Sequence, residues 1–358
     1  MRLRKIRLVN FRSYKKKEFD FTSTLVIVVG LNTSGKTNLL EAIMLLATGR
    51  SIKAQLENEM ITENEVVGRV KGRVISSETT DLEIVLTRGE IQGEKVARKK
   101  YFVNGVTKGA TSFVGNLKAV YFGPADLDLV TGSPSLRRHY LDTVLSQVDR
   151  EYHRVSLSYE KGLRQRNKLL ERIREEGPPA GGSRSQLLFW DQLLVRNGNF
   201  ITLKREEFIN FCNNQKEKNL SLFKLEYDKS IISPSRLADY AEEEIAAGVT
   251  LVGPHRDDFQ FFLKSRDLAR FGSRGEQRMV VLWLKLCELK FISQKQEIRP
   301  ILLLDDIFSE LDAQRRRLVL KVIPKHQTII TTADLGQIPK NFQKKGEVIK
   351  LKIESEEI

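Results

Sequence analysis

Residues 25–43, LVIVVGLNTSGKTNLLEAI, decide how the chain is read. The aliphatic run LVIVV is what a short buried strand needs, and a glycine follows it at once. Gly30, Gly35, Lys36 and Thr37 then satisfy the spacing G-x-x-x-x-G-K-[ST]. NLLEAIMLLATG continues with apolar residues at helical intervals and stops at Gly49, a suitable C-terminal cap. Strand, glycine loop and helix in that order make a phosphate-binding loop. The segment Gly30, Leu31, Asn32, Thr33, Ser34, Gly35, Lys36, Thr37 and Asn38 is expected to hold nucleotide phosphates. Its glycines let backbone N–H groups wrap phosphate oxygens while the helix directs its positive end at them. Lys36 would neutralise the β- and γ-phosphates, and the Thr37 hydroxyl would ligate Mg²⁺.

The bulk numbers narrow the class. With 358 residues, 41% hydrophobic and 30% charged, the chain has the composition of a soluble globular protein of two or three domains. No apolar run approaches the roughly 20 residues of a membrane helix. The N-terminal MRLRKIRLVNF is basic and strand-like and lacks a secretory apolar core. Cys212 and Cys287 lie far apart in dissimilar contexts, so a reducing cytoplasm is expected rather than a disulfide framework or zinc site. Lys and Arg total 60 against 46 Asp and Glu, a net charge of +14 that favours a polyanionic partner.

Residues 1–29 read as short strands, and 66–106 are β-rich again, with an Asn-Gly pair in YFVNGVTKG suited to a tight hairpin. From Ser135 the pattern turns helical. Leu141, Val144, Val148, Tyr152, Val155 and Tyr159 recur at spacings of three and four, one stripe on a helix of about 40 residues. GPPAGGS (177–183) breaks it, and a second run offers Leu187, Leu188, Leu194, Phe200, Phe208 and Phe211 to the first. An antiparallel helical hairpin is expected, its many cations a solvated face unless a partner claims them. The expected fold class is α/β, with a head assembled from residues 1–125 and 249–358 around an inserted helical arm at 126–248.

Two further segments carry chemistry. ILLLDD (301–306) is a buried-strand pattern ending in adjacent carboxylates, costly unless they manage a cation or a proton. Asp305 is expected to serve the Mg²⁺ and Asp306 the attacking water. In FGSRGEQR (271–278), Ser273 and Glu276 make a capping box, and the same helix N-terminus with Gly275 is a second anion site. One nucleotide has no need of two helix N-termini from one head.

The combination resembles the ABC-type ATPase head, in which the signature helix of one subunit caps the nucleotide held by another. Within that class the chain is similar to the SMC/Rad50 branch and to its RecF family, through LVNFRSY, GSPSLRRHYLD (132–142), VGPHRDDF (252–259) and ILLLDDIFSELDAQRR (301–316). The resemblance implies an ATP- and Mg²⁺-dependent homodimer, a weak ATPase that binds double-stranded DNA near gaps and acts with RecO and RecR to place RecA. It implies that Ser273, Arg274, Gly275 and Gln277 form a signature acting across the dimer, that Asp312 lies in a D-loop, and that Arg12 approaches the nucleotide. Three departures stand out: Thr33 where related loops have Gly, tolerable at an ordinary φ; Asp306 in place of Glu, which predicts slow turnover; and Glu276 in place of the signature Gln. His255, in GPHRDD, reads as structural rather than as a site residue. A transporter subunit would need a shorter helical insert, a structural SMC or Rad50 protein a far longer coil, and a nuclease a further acidic cluster.

Overall fold

The computed structural model describes residues 1–54, 56–177, 183–215, 222–309 and 311–352. The longer elements, in chain order, are strands β1 (Arg2–Phe11), β2 (Tyr14–Asp20) and β3 (Leu25–Val29), and helix α1 (Lys36–Thr48). Strands β4 (Val67–Ile75), β5 (Thr79–Thr87), β6 (Lys99–Val103), β7 (Val106–Lys108) and β8 (Ala119–Phe122) follow. Then come α2 (Pro134–Val148), α3 (Arg150–Glu176), α4 (Ser183–Asn213), β9 (Phe223–Asp228), β10 (Asp258–Leu263) and α5 (Arg274–Gln296). The chain closes with β11 (Ile301–Asp305), α6 (Ala313–Val322), β12 (Thr328–Thr332) and β13 (Glu347–Lys350). Two compact units result: Met1–Asp126 with Glu288–Ile358, and Leu127–Cys287.

The first unit holds two sheets. One is parallel, in the order β8-β11-β12-β3-β13. Its inner strands β11 and β12 are buried at every residue, as strands covered on both faces must be. The other is antiparallel, in the order β2-β1-β4-β5-β6-β7. β4 alternates buried and exposed residues because only one of its faces meets the core. The Asn104–Gly105 turn has positive φ at both residues, 51° and 78°, which joins Val103 to Val106 as a two-residue hairpin. Leu39, Leu40, Ile43 and Leu46 of α1 share one core with Leu3, Ile6, Val70 and Ile84 of the antiparallel sheet and Val26, Leu303 and Ile329 of the parallel one. Since the parallel strands run the same way, β3, β11 and β12 end on one edge, where α/β sheets present their ligand sites.

The second unit corrects two expectations. The apolar stripe from Leu141 to Tyr159 is carried by two helices rather than one of about 40 residues. Asp149 interrupts it at φ −133°, and its carboxylate accepts the N–H groups of Glu151 and Tyr152 at 2.9 and 3.0 Å, capping α3. The hairpin itself forms from α3 and α4. Ser158 meets Asn197, Arg166 meets Asp191 and Leu170 packs with Leu187, a register that runs antiparallel. Gly162 permits the approach, since a Cβ there would lie 2.6 Å from Leu193. Leu194 and Phe208 are buried as expected, whereas Leu188 is exposed. Pro178 to Gly182, within the turn read at 177–183, lie outside the described residues.

Residues 249–287, expected in the head, fall in this second unit instead. β10 pairs with β9 along its length, from Asp258↔Asp228 to Leu263↔Phe223. The RDD of VGPHRDDF is also fastened to the helices: buried Arg205 of α4 reaches Asp257 at 3.1 Å and Asp142 of α2 at 2.9 Å. Arg137 grips Asp258 through two hydrogen bonds of 2.6 and 2.9 Å. A bidentate pair and a shared buried guanidinium hold these acids far more firmly than surface pairs would.

Candidate nucleotide site

The phosphate loop forms because β3 ends at Val29 and α1 starts at Lys36, with Gly35 between them at φ 91°. A Cβ at Gly35 would lie 2.7 Å from the Tyr14 hydroxyl, so no other residue fits. Among the described residues no side chain caps the N-terminus of α1, and its first turn carries no acid, leaving the helix's positive end to an incoming anion. Lys36 is buried and donates to the carbonyls of Gly30 and Leu31 at 2.6 and 2.7 Å. That leaves one of its three N–H donors for a phosphate oxygen. Burial pushes the Lys36 ammonium below the ordinary lysine value, against the pull of Asp306 and Asp305.

Thr33 departs from expectation. Its φ is 73°, in the left-handed region rather than at the ordinary value its tolerance required. A β-branched residue is strained there. Leu31, Asn32 and Thr33 are exposed, whereas Ser34 is buried and its hydroxyl finds no partner among the described residues.

β11 brings both acids to the loop. The Thr37 hydroxyl donates to Asp305 Oδ1 at 3.2 Å. Oxygens in cis positions around a six-coordinate Mg²⁺, each about 2.0–2.1 Å from the ion, lie about 2.9 Å apart, so this pair fits the ion. Among the described residues, no group of three or more His, Cys, Asp or Glu is placed to hold a metal ion. Asp306 follows at φ 50°, its N–H held by the carbonyl and the hydroxyl of Thr331, both at 3.1 Å. Its Oδ1 is buried with no hydrogen-bond partner among the described residues. Burial raises the Asp306 carboxyl above the ordinary aspartate value, opposed by Lys36 and aided by Asp305.

Arg12 and Ser13 turn β1 into β2 beside the loop. The Arg12 guanidinium grips buried Glu41 at 2.9 and 2.7 Å and donates to the Glu59 carbonyl at 2.7 Å. Asn38 donates to Ser13 at 3.0 Å. A hollow of about 480 Å³ opens here, lined by Arg12, Ser13 and Asn38 together with Asn58, Glu59 and Glu63. The last three were not singled out from sequence; the acidic ENEMITENE run carries no periodicity or motif that would mark them.

The signature residues belong to the second unit. The Ser273 N–H and hydroxyl donate to Glu276 at 2.9 and 3.0 Å, and the Glu276 N–H returns to Ser273 at 3.3 Å, the expected capping box. Arg266 pairs with the same carboxylate. Ser273 and Arg274 are exposed and Gly275 half-buried, but Gln277 is buried and its amide donates to the Leu268 carbonyl at 2.9 Å. Asp312 caps α6 through the Arg315 N–H at 2.8 Å, and Glu310 lies outside the described residues. His255, also in the second unit, is structural: its Nε2 faces the Thr250 carbonyl at 3.0 Å and its Nδ1 the Tyr159 hydroxyl at 2.8 Å. A carbonyl only accepts, so Nε2 carries the proton and Tyr159 donates to Nδ1. Burial lowers His255 to about 4 and keeps it neutral.

A family model described as the RecF/RecN/SMC N terminal domain matches residues 2–353. The DNA replication and repair protein RecF of Herpetosiphon aurantiacus is 36% identical over 373 residues, covering 96% of each chain. Its counterpart in Moorella thermoacetica is 35% identical over 352 residues, covering 94% of this chain and 91% of the relative. The solved structure of the recombination mediator protein RecF-ATP in the RecFOR pathway matches with a TM-score of 0.83 and 31% identity, over 94% of this chain and 93% of that one. A Smc head domain with an extended coiled coil, derived from Pyrococcus furiosus, shares the fold alone, with a TM-score of 0.50 and 16% identity over 98% and 94%.

Proposed function

The chain belongs to the RecF family of DNA replication and repair proteins, built on an ABC-type ATPase head, and we propose that ATP switches it into a homodimer that clamps duplex DNA. The carrying observation is the approach of Thr37 to Asp305, 3.2 Å apart beside Lys36 and the uncapped end of α1. Lys36, the loop amides and the α1 dipole bind and orient the triphosphate. Thr37 and Asp305 would hold Mg²⁺, which would supply neutralisation of charge on the phosphates. Asp306 presents a buried carboxylate oxygen with no partner among the described residues, and burial raises its basicity, which suits it to accept a proton from the attacking water. The hollow beside Arg12 takes the ribose and base.

The second anion site works in trans. Ser273, Arg274 and Gly275 of one copy close on the γ-phosphate held by the other, with Asp312 at the junction. Gln277, directed at Leu268 in the buried interior, supports that helix rather than touching nucleotide. Two nucleotides thus cement two heads. The net charge of +14 supports duplex DNA as the clamped partner, bound through its phosphates and so without sequence preference. With about 6–10 phosphate contacts, affinity falls about 10³–10⁵-fold between 50 and 200 mM salt. The clamp forms near gaps, meets RecO and RecR, and helps load RecA; slow hydrolysis releases it. Aspartate at 306 is one methylene shorter than the glutamate usual in transporter ATPases and would hold water less directly.

Duplex-DNA affinity at fixed salt, without nucleotide, with ATP·Mg²⁺, and with Lys36→Met, tests the proposal. ATP should tighten binding and Lys36→Met should remove the gain. An affinity indifferent to ATP refutes the clamp, and turnover of many ATP per second refutes the slow switch.

A further inference from the structure

Asp305 is buried at the end of β11, and hydroxyls converge on it from both neighbouring strands. Tyr121 of β8 donates to Oδ2 at 2.9 Å. Thr331 of β12, the direct register partner of Asp305, donates to Oδ1 at 2.6 Å. Neither residue belongs to the phosphate loop or to the acidic pair. The Thr331 hydroxyl also accepts the Asp306 N–H at 3.1 Å, so one side chain ties down both carboxylate-bearing residues. Gly123 leaves room for the Tyr121 hydroxyl: a Cβ there would stand 2.3 Å from its oxygen.

We propose that Tyr121 and Thr331 are positioning residues that fix the Asp305 carboxylate in the orientation serving Mg²⁺ at the phosphate loop, an inference that rests on the reading of that loop given above. Each carboxylate oxygen has two acceptor positions. Tyr121 takes one on Oδ2 and leaves the other, while Oδ1 receives Thr331 and the Thr37 hydroxyl. With the Thr37 hydroxyl given over to Mg²⁺, Asp305 would keep one open acceptor position on each oxygen, and the hydroxyls from both flanking strands would restrain its carboxylate from turning. Hydrogen-bond partners of this kind are worth about 10–100-fold in metal affinity.

The test uses the full chain and a fluorescent N-methylanthraniloyl ATP. The Mg²⁺ concentration giving half-maximal binding is measured for wild type, Tyr121→Phe, Thr331→Val and Thr331→Ser. Nucleotide affinity in EDTA and melting temperature are measured alongside. Tyr121→Phe and Thr331→Val should each raise the Mg²⁺ requirement about tenfold, Thr331→Ser should return it near wild type, and affinity in EDTA should hold. An unmoved Mg²⁺ requirement overturns the inference, as does an equal loss with and without Mg²⁺, which would mean packing alone. A wild-type chain that binds no nucleotide with Mg²⁺ refutes the reading of the loop itself, and this inference with it.

Discussion

Thr33 offers the sharpest test of the loop's geometry. Its φ of 73° places a β-branched side chain in the left-handed region, where a Cβ crowds the following carbonyl oxygen at about 1–2 kcal/mol. Thr33 is exposed, and its hydroxyl donates to the neighbouring Asn32 carbonyl, a contact too local to repay that strain. Glycine removes the crowding but loses more chain entropy on folding, about 0.5–1 kcal/mol. Thr33→Gly should therefore stabilise the first unit by about 0.5–1 kcal/mol. Asparagine tolerates the same φ without glycine's entropic loss, so Thr33→Asn should gain about 1 kcal/mol or slightly more. For a unit of about 200 residues, 1 kcal/mol moves the midpoint by about 2–4 °C. Scanning calorimetry without nucleotide should rank Asn above Gly above Thr. A melting temperature lowered by both substitutions would show that the strain argument is wrong and that Thr33 makes a contact worth more than its backbone cost.

Two predictions concern the second unit. Arg205→Met strips the shared cation from Asp142 and Asp257, the latter wholly buried, and should cost about 3–5 kcal/mol in urea unfolding. A loss below about 1 kcal/mol would mean that the acids find other partners. His255 is held from its ordinary 6.5 down to about 4, so the unfolded chain binds the extra proton first as pH drops. Its contribution is complete above about pH 6.5 and is lost as pH falls toward 4, with about 2 kcal/mol gone between pH 7.5 and 5. A His255→Gln chain should lack that slope, and an unchanged slope would exclude His255 as its source.

What could be read in the sequence was chemistry constrained within a few residues. Strand, loop and helix around Gly30–Thr37 lie in one continuous stretch, and the acids after ILLL can be buried only if something uses them. Whatever depended on distant partners was hidden. The spacing from Val148 to Tyr152 continues the apolar stripe without a flaw, yet Asp149 ends one helix and caps the next. The signal was present, an Asp followed by Arg and Glu, but periodicity outweighed it. The place of residues 249–287 was set by pairing with β9 and by Arg205, contacts that no local pattern announces. Gln277 matched a signature position by spacing, while burial turned its amide inward.

The strained residues point the same way. Asn, Gly and Asp readily accept positive φ, and Asn10, Asn64 and Asn104 do so here. Of the other positive-φ residues, Gln92, Lys264 and Glu297 lie elsewhere, whereas Thr33, Arg12 and the more tolerant Asp306 stand at the candidate nucleotide site. A strained backbone persists only where its surroundings over-determine it. Thr331 supplies this for Asp306 through its carbonyl and hydroxyl, and Glu41 with the Glu59 carbonyl supplies it for Arg12. Thr33 has only the Asn32 carbonyl among the described residues. Its strain is therefore the part of the site the fold does not compensate, and the part a bound triphosphate is best placed to repay.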